Sequence, residues 1–67
     1  MGRVSNLSDD DLAILRPLSQ GLTTDVIARE LNISERTLRR RVRTICNQIG
    51  VDTPIEAVVW AVRTRRI

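Results

Sequence analysis

Between Arg36 and Arg43 this 67-residue chain places five arginines, at 36, 39, 40, 41 and 43, in a sequence with no lysine and no histidine. A guanidinium stays charged at any accessible pH and offers its N–H donors in a planar fork that matches carboxylates and phosphates. That chemistry is binding rather than bond-making. Without histidine the commonest general base is missing, and Cys46, the single cysteine, excludes an internal disulfide and any metal cluster of ordinary spacing. The expectation is a protein that is no enzyme and uses no cofactor and no metal. Acids hardly interleave among the arginines: only Glu35, one turn before Arg39, is placed for an i,i+4 pair. The plain alternative, a solvated charged face, would more usually carry such pairs throughout. Five crowded cations repel one another, and a polyanionic partner would relieve that repulsion.

The stretch that holds them, Ser34 to Ile49, separates into two faces when wound at about 100° per residue. Leu38, Val42, Ile45 and Ile49 form one apolar stripe with Cys46 at its edge, while Arg36, Arg40, Arg43 and Asn47 lie opposite. Arg39 and Arg41 fall on the flanks. Ser34 suits an N-cap, and Gly50 stands where a left-handed residue would stop the helix. Cys46 reads as a small buried hydrophobe rather than a redox sensor. The charge is divided along the chain: residues 1–33 carry three arginines against five acids, and residues 34–67 carry eight against three. Such asymmetry suits a polyanion met by one face.

Three further helices follow from the same signals. Leu7 precedes Ser8-Asp9-Asp10-Asp11, a capping start with acids at the positive end of the helix dipole, and Leu12, Ile14, Leu15 and Leu18 then face inward as far as Gly21. Pro17 should kink this helix or end it early. Thr23 is the expected N-cap of a second helix, whose Val26, Ile27, Ala28 and Leu31 face inward. Asn32 tolerates the left-handed turn before Ser34. Two helices joined so tightly cross steeply, as in a helix-turn-helix, with Ile27, Leu31, Ile33 and Leu38 lining the shared surface. Thr53-Pro54-Ile55-Glu56 then opens a last helix with a cap, a proline at its first position and a capping box. That helix is apolar over about twice the usual stripe. Ala57, Val58 and Ala61 should face inward, leaving Ile55, Val59 and Val62 for a second subunit, with Trp60 on either side. Thr64 to Ile67 reads as a basic tail that touches phosphate or frays. The fold class is all-α: a four-helix, bundle-like domain containing a helix-turn-helix, with helices at about 9–20, 24–31, 34–49 and 54–63. Residues 1–6 read as a flexible leader and 7–67 as the domain. No apolar run approaches the ~20 residues of a membrane span, so a membrane is not an expected partner.

The ordered set Leu7-Ser8, Gly21-Leu22-Thr23, Ile27 to Ser34, Thr37-Leu38-Arg39, Ile49-Gly50-Val51 and Glu56-Ala57-Val58 resembles the LuxR/FixJ (GerE-type) DNA-binding domain over nearly the whole chain. The resemblance implies a bacterial, cytoplasmic, nucleoid-associated transcription regulator that binds double-stranded DNA sequence-specifically. It implies a third helix in the major groove and a homodimer formed through the fourth, either in solution or only on DNA. Carried over residue by residue, it assigns base edges to Arg39, Arg40 and Arg43 and phosphates to Thr24, Asp25, Arg36 and Thr37. The dimer surface falls to Ile55, Val59 and Val62. RNA polymerase is a further candidate partner. The chain departs from the family's usual residues at Asp10-Asp11, Pro17, Arg41 and Pro54, and at Val26, where the loss of a glutamate removes a capping box. Two alternatives use the same helix pair: a module like region 4 of a sigma factor, and a protein-interaction domain whose arginines face an acidic partner protein.

Overall fold

The computed structural model describes residues 7–67, in which four helices follow one another: α1 (Asp9–Ser19), α2 (Thr24–Leu31), α3 (Glu35–Ile49) and α4 (Pro54–Arg63). The leader expected at Met1 to Asn6 lies outside those residues. The expected helix spans hold to within a residue. Ser34 caps α3 as expected, so the helix proper starts at Glu35, and Gln20 caps α1 instead of closing it.

Local chemistry sets each boundary. Asp11 N–H donates to Ser8 Oγ at 3.2 Å while Ser8 N–H donates to Asp11 Oδ2 at 3.1 Å, a reciprocal capping box. Glu56 does more at the start of α4, where its Oε1 accepts from the Asp52 and Thr53 N–H groups, each at 3.0 Å. Those bonds to the charged form hold the Glu56 carboxyl below its usual range. Asn32 (φ 61°) and Gly50 (φ 74°) end α2 and α3 in the left-handed region.

Two local expectations are corrected. Of the two outcomes expected at Pro17, the early end does not occur: the helix runs two residues further, to Ser19. The proline sits in the last turn, and the Ala13 carbonyl it leaves without a donor belongs to an exposed residue that solvent can reach. Thr23 holds the N-cap position of α2, but its side chain accepts nothing from the first turn. Its hydroxyl donates to Asp25 Oδ1 instead, which is the main reason the Asp25 carboxyl titrates below its usual range.

The core is aliphatic. Ile14, Leu15, Ile27, Leu38 and Ile45 are the largest fully buried side chains, each stabilising the fold by about 1.5–3 kcal/mol relative to exposure. Leu7, Ala28, Val42 and Cys46 join them. Burial also pushes the Cys46 thiol up in pKa, as expected of an inert apolar position. Ala57 and Ala61 are wholly buried, and their small side chains let the α4 backbone lie close to the neighbouring helices. Leu31 corrects the expected inner surface, because it is 38% exposed. It is the last residue of α2, flanked by the exposed Glu30 and Asn32.

The C-terminal residues neither fray nor stand clear. Arg66 N–H donates to the Ala61 carbonyl at 2.8 Å, and the Arg66 guanidinium carbon lies 5.9 Å from the centroid of the Trp60 ring. Arg65 turns left-handed (φ 60°), and Ile67 packs against the core. No helix among the described residues is long and apolar enough to cross a membrane.

Candidate nucleic-acid interface

The buried stripe of α3 determines what its other side presents. With Leu38, Val42, Ile45 and Cys46 inside, the helical repeat turns Arg36, Arg39, Arg40 and Arg43 outward, and all four are exposed. The four surround one shallow depression on the surface. Arg41, on the other flank, is half-buried and is not part of that rim. Arg39 and Arg43 also border a wider groove of about 750 Å³, whose far walls include Leu18, Thr24 and Asp52. Among the candidates, Thr24, Arg39 and Arg43 border the groove, and Arg36 and Arg40 join Arg39 and Arg43 around the depression; Asp25 and Thr37 line neither.

Their electrostatics are uneven. Only Arg39 of the four has a carboxylate within 4.0 Å among the described residues: its Nη2 donates to Glu35 Oε2 at 2.9 Å. The cluster is an exposed cationic ridge along α3 with a single internal counter-charge among the described residues, not a set of side chains folded inward. At the base of the ridge, Ser34 Oγ accepts from Thr37 N–H at 3.0 Å and donates to Thr37 Oγ1 at 2.9 Å. Thr37 is thereby fixed at the first turn of α3.

At α2, the Thr23 side chain caps none of the first-turn amides, which lie at the positive end of the helix dipole with the Asp25 carboxylate drawn toward the Asp25 and Val26 N–H groups. Thr24 and Asp25 supply two of those amides. Their side chains are engaged elsewhere, the Thr24 hydroxyl with Glu35 Oε2 at 2.8 Å and the Asp25 carboxylate with Thr23 and with Arg29 at 4.0 Å. What this end offers an anion is main-chain N–H. The Thr24–Glu35 bond escaped the sequence reading, since no local pattern pairs residues eleven apart. The i,i+4 spacing of Glu35 and Arg39 signals only the other contact of that carboxylate.

On α4, Ile55 is 72%, Val59 45% and Val62 51% exposed, one apolar strip on the outer side of the helix. Ala57 and Ala61 point the other way and are buried, with Val58 half-buried beside them. Trp60, open to either side in the sequence, is half-buried beneath Arg66.

Residues 5–61 match the family described as bacterial regulatory proteins, luxR family. The chain is 32% identical over 59 residues to the transcriptional regulatory protein YdfI of Bacillus subtilis, covering 88% of this chain and 28% of that protein. It is 32% identical over 62 residues to the nitrate/nitrite response regulator protein NarL of Escherichia coli, covering 92% and 29%. With the DNA-binding transcriptional activator DevR/DosR of Mycobacterium tuberculosis it shares 30% over 63 residues, covering 94% and 29%. The chain thus spans less than a third of the length of each of these relatives.

Proposed function

The chain belongs to the luxR family of bacterial regulatory proteins, as its helix-turn-helix DNA-binding domain, and on that premise we propose that it reads a specific double-stranded sequence with α3 in the major groove. The observation that supports this is the ridge of Arg36, Arg39, Arg40 and Arg43, with one carboxylate among them. In this proposal Arg40 and Arg43 approach base edges, where an arginine fork can bond guanine O6 and N7 together. Arg39 does the same from the flank. Arg36, Thr37 and the first-turn amides of Thr24 and Asp25 hold the flanking phosphates and set register without reading sequence. Two copies pair through Ile55, Val59 and Val62 of α4 and place two third helices on neighbouring half-sites. Bound to chromosomal DNA in the bacterial cytoplasm, such a pair regulates transcription.

The test is a titration at fixed salt on a duplex selected from a random pool and on a scrambled duplex. Arg40→Ala and Arg43→Ala should each weaken the selected complex by about 5- to 150-fold, the range of one bidentate base contact, and the scrambled complex far less. Arg36→Ala should weaken both alike. Equal losses on the two duplexes for Arg40→Ala and Arg43→Ala would defeat the base-reading assignment.

A further inference from the structure

Among the described residues Glu35 is the one carboxylate within 4.0 Å of the arginine ridge, and it touches two elements at once. Its Oε2 accepts both from the Thr24 hydroxyl at 2.8 Å and from Arg39 Nη2 at 2.9 Å. Thr24 opens α2 and Glu35 opens α3, so this oxygen bridges the turn between the two helices. From this geometry we infer that Glu35 is a specificity-determining positioning residue, which sets the pose of Arg39 and withholds its charge from non-specific phosphate. The inference rests on the DNA-reading role proposed above.

An exposed i,i+4 ion pair is ordinarily loose, because two long side chains must be ordered to make it. Here the carboxylate is also tied to a hydroxyl on another helix, so one end of the pair is already fixed. The Arg39 side chain stays 70% exposed. A guanidinium has five N–H donors, and the recorded contact with Glu35 uses one nitrogen, which leaves donors for a base edge. An arginine held in one pose loses less freedom when it meets the matching base. On a mismatched duplex a phosphate that approaches Arg39 also approaches the Glu35 carboxylate beside it, which repels it. Glu35 thus acts against wrong sequences as well as for the right one.

The experiment uses the whole chain, the duplex it selects from a random pool and a scrambled duplex, each titrated over a range of salt. Glu35→Gln keeps an oxygen for Thr24 and removes the charge. Scrambled-duplex binding should tighten about three- to tenfold, with a salt slope steeper by roughly 0.9, as for one more released counterion. The ratio of selected to scrambled affinity should fall about tenfold. In an Arg39→Ala background the same substitution should change that ratio less than about twofold, since Glu35 acts through Arg39. Thr24→Val should lower the ratio, and Thr24→Ser should preserve it, which reads the same contact from α2. A Glu35→Gln ratio and slope equal to the parent's would overturn the inference, as would equal losses in both backgrounds. If the parent itself binds both duplexes alike, the base-reading proposal fails first and carries this one with it.

Discussion

Removing an arginine from the ridge should make the free domain more stable while it weakens DNA binding. Arg40 is the sharpest case. It lies one turn from Arg36 on one side and from Arg43 on the other, and no carboxylate lies within 4.0 Å of it among the described residues. Like charges at such spacing destabilise a helix by about 0.2–0.5 kcal/mol per pair. Arg40→Ala relieves two pairs, and alanine is at least as good a helix former, so the gain should be about 0.5–1 kcal/mol at low ionic strength. For a domain of this size that raises Tm by about 2–8 °C. Nothing buried is lost, because the side chain is exposed and the hydroxyl of Thr44 bonds the Arg40 carbonyl, which alanine retains. Thermal melts of the parent, Arg40→Ala and Arg40→Gln in low salt and in 1 M salt measure this directly. At 1 M the screening length is about 3 Å, and the gain should shrink to the small propensity difference. Arg39→Ala is the internal comparison: it relieves repulsion from Arg36 and Arg43 but loses the Glu35 pair, worth about 0.3–0.5 kcal/mol, and should raise Tm clearly less than Arg40→Ala does. A fall in Tm for Arg40→Ala in low salt, or a rise indifferent to salt, would refute the idea of mutually repelling cations.

Two other outcomes test the elements around the ridge. Because the folded state holds Glu56 below its usual range, the stability it confers is full above the ordinary glutamate value of 4.5 and is lost as pH falls through the lower folded value. The Tm difference between the parent and Glu56→Gln should therefore close between about pH 5 and the acid limit, and a difference that stays constant would show that the charge contributes nothing. On α4, Val59→Asp should abolish pairing in sedimentation and weaken binding to a duplex with two half-sites, leaving a single half-site unaffected. Identical masses and affinities would remove α4 from the dimer model.

How much of this was legible in the sequence depends on the range of the interaction involved. Caps act over three or four residues, so Ser8, Ser34, Thr53 and Gly50 placed three helix starts and one helix end to within a residue. The inward stripe of α3 and the outward strip of α4 followed from helical repeat alone. Competition at close quarters was harder. Thr23 could accept from the first turn of α2 or donate to Asp25, and spacing cannot choose between them. Leu31 stands at helical spacing from Ile27, but it is the last residue of α2 and its side chain is left partly exposed. The packing of Ile67 and the stacking of Arg66 on Trp60 depend on where the chain returns after Arg65, whose left-handed turn no glycine or asparagine announced. Of the candidate interface, the positions of the arginines were readable. Their pairing was only half so, since Thr24 joins Glu35 across the turn.

The two demands on α3 oppose each other in energy but not in space. Its outer face concentrates charge that destabilises the free helix, while Leu38 and Ile45 on the inner face are wholly buried. A helix is stiff, so the angular placement of Arg40 and Arg43 is inherited from that buried stripe and not from contacts of their own. Exchanging either arginine should therefore change what is read without moving the helix that reads it. Arg39 differs, because its pose also depends on Thr24 of α2 through Glu35. A shift of α2 against α3 would reach the interface through that arginine first. Sequence preference at the Arg39 position should accordingly respond to core substitutions between α2 and α3, such as Ala28→Gly, that leave preference at the Arg40 and Arg43 positions unchanged. Selected duplexes that alter at all three positions together would mean that α3 moves as a whole and that the Glu35 bridge has no separate effect.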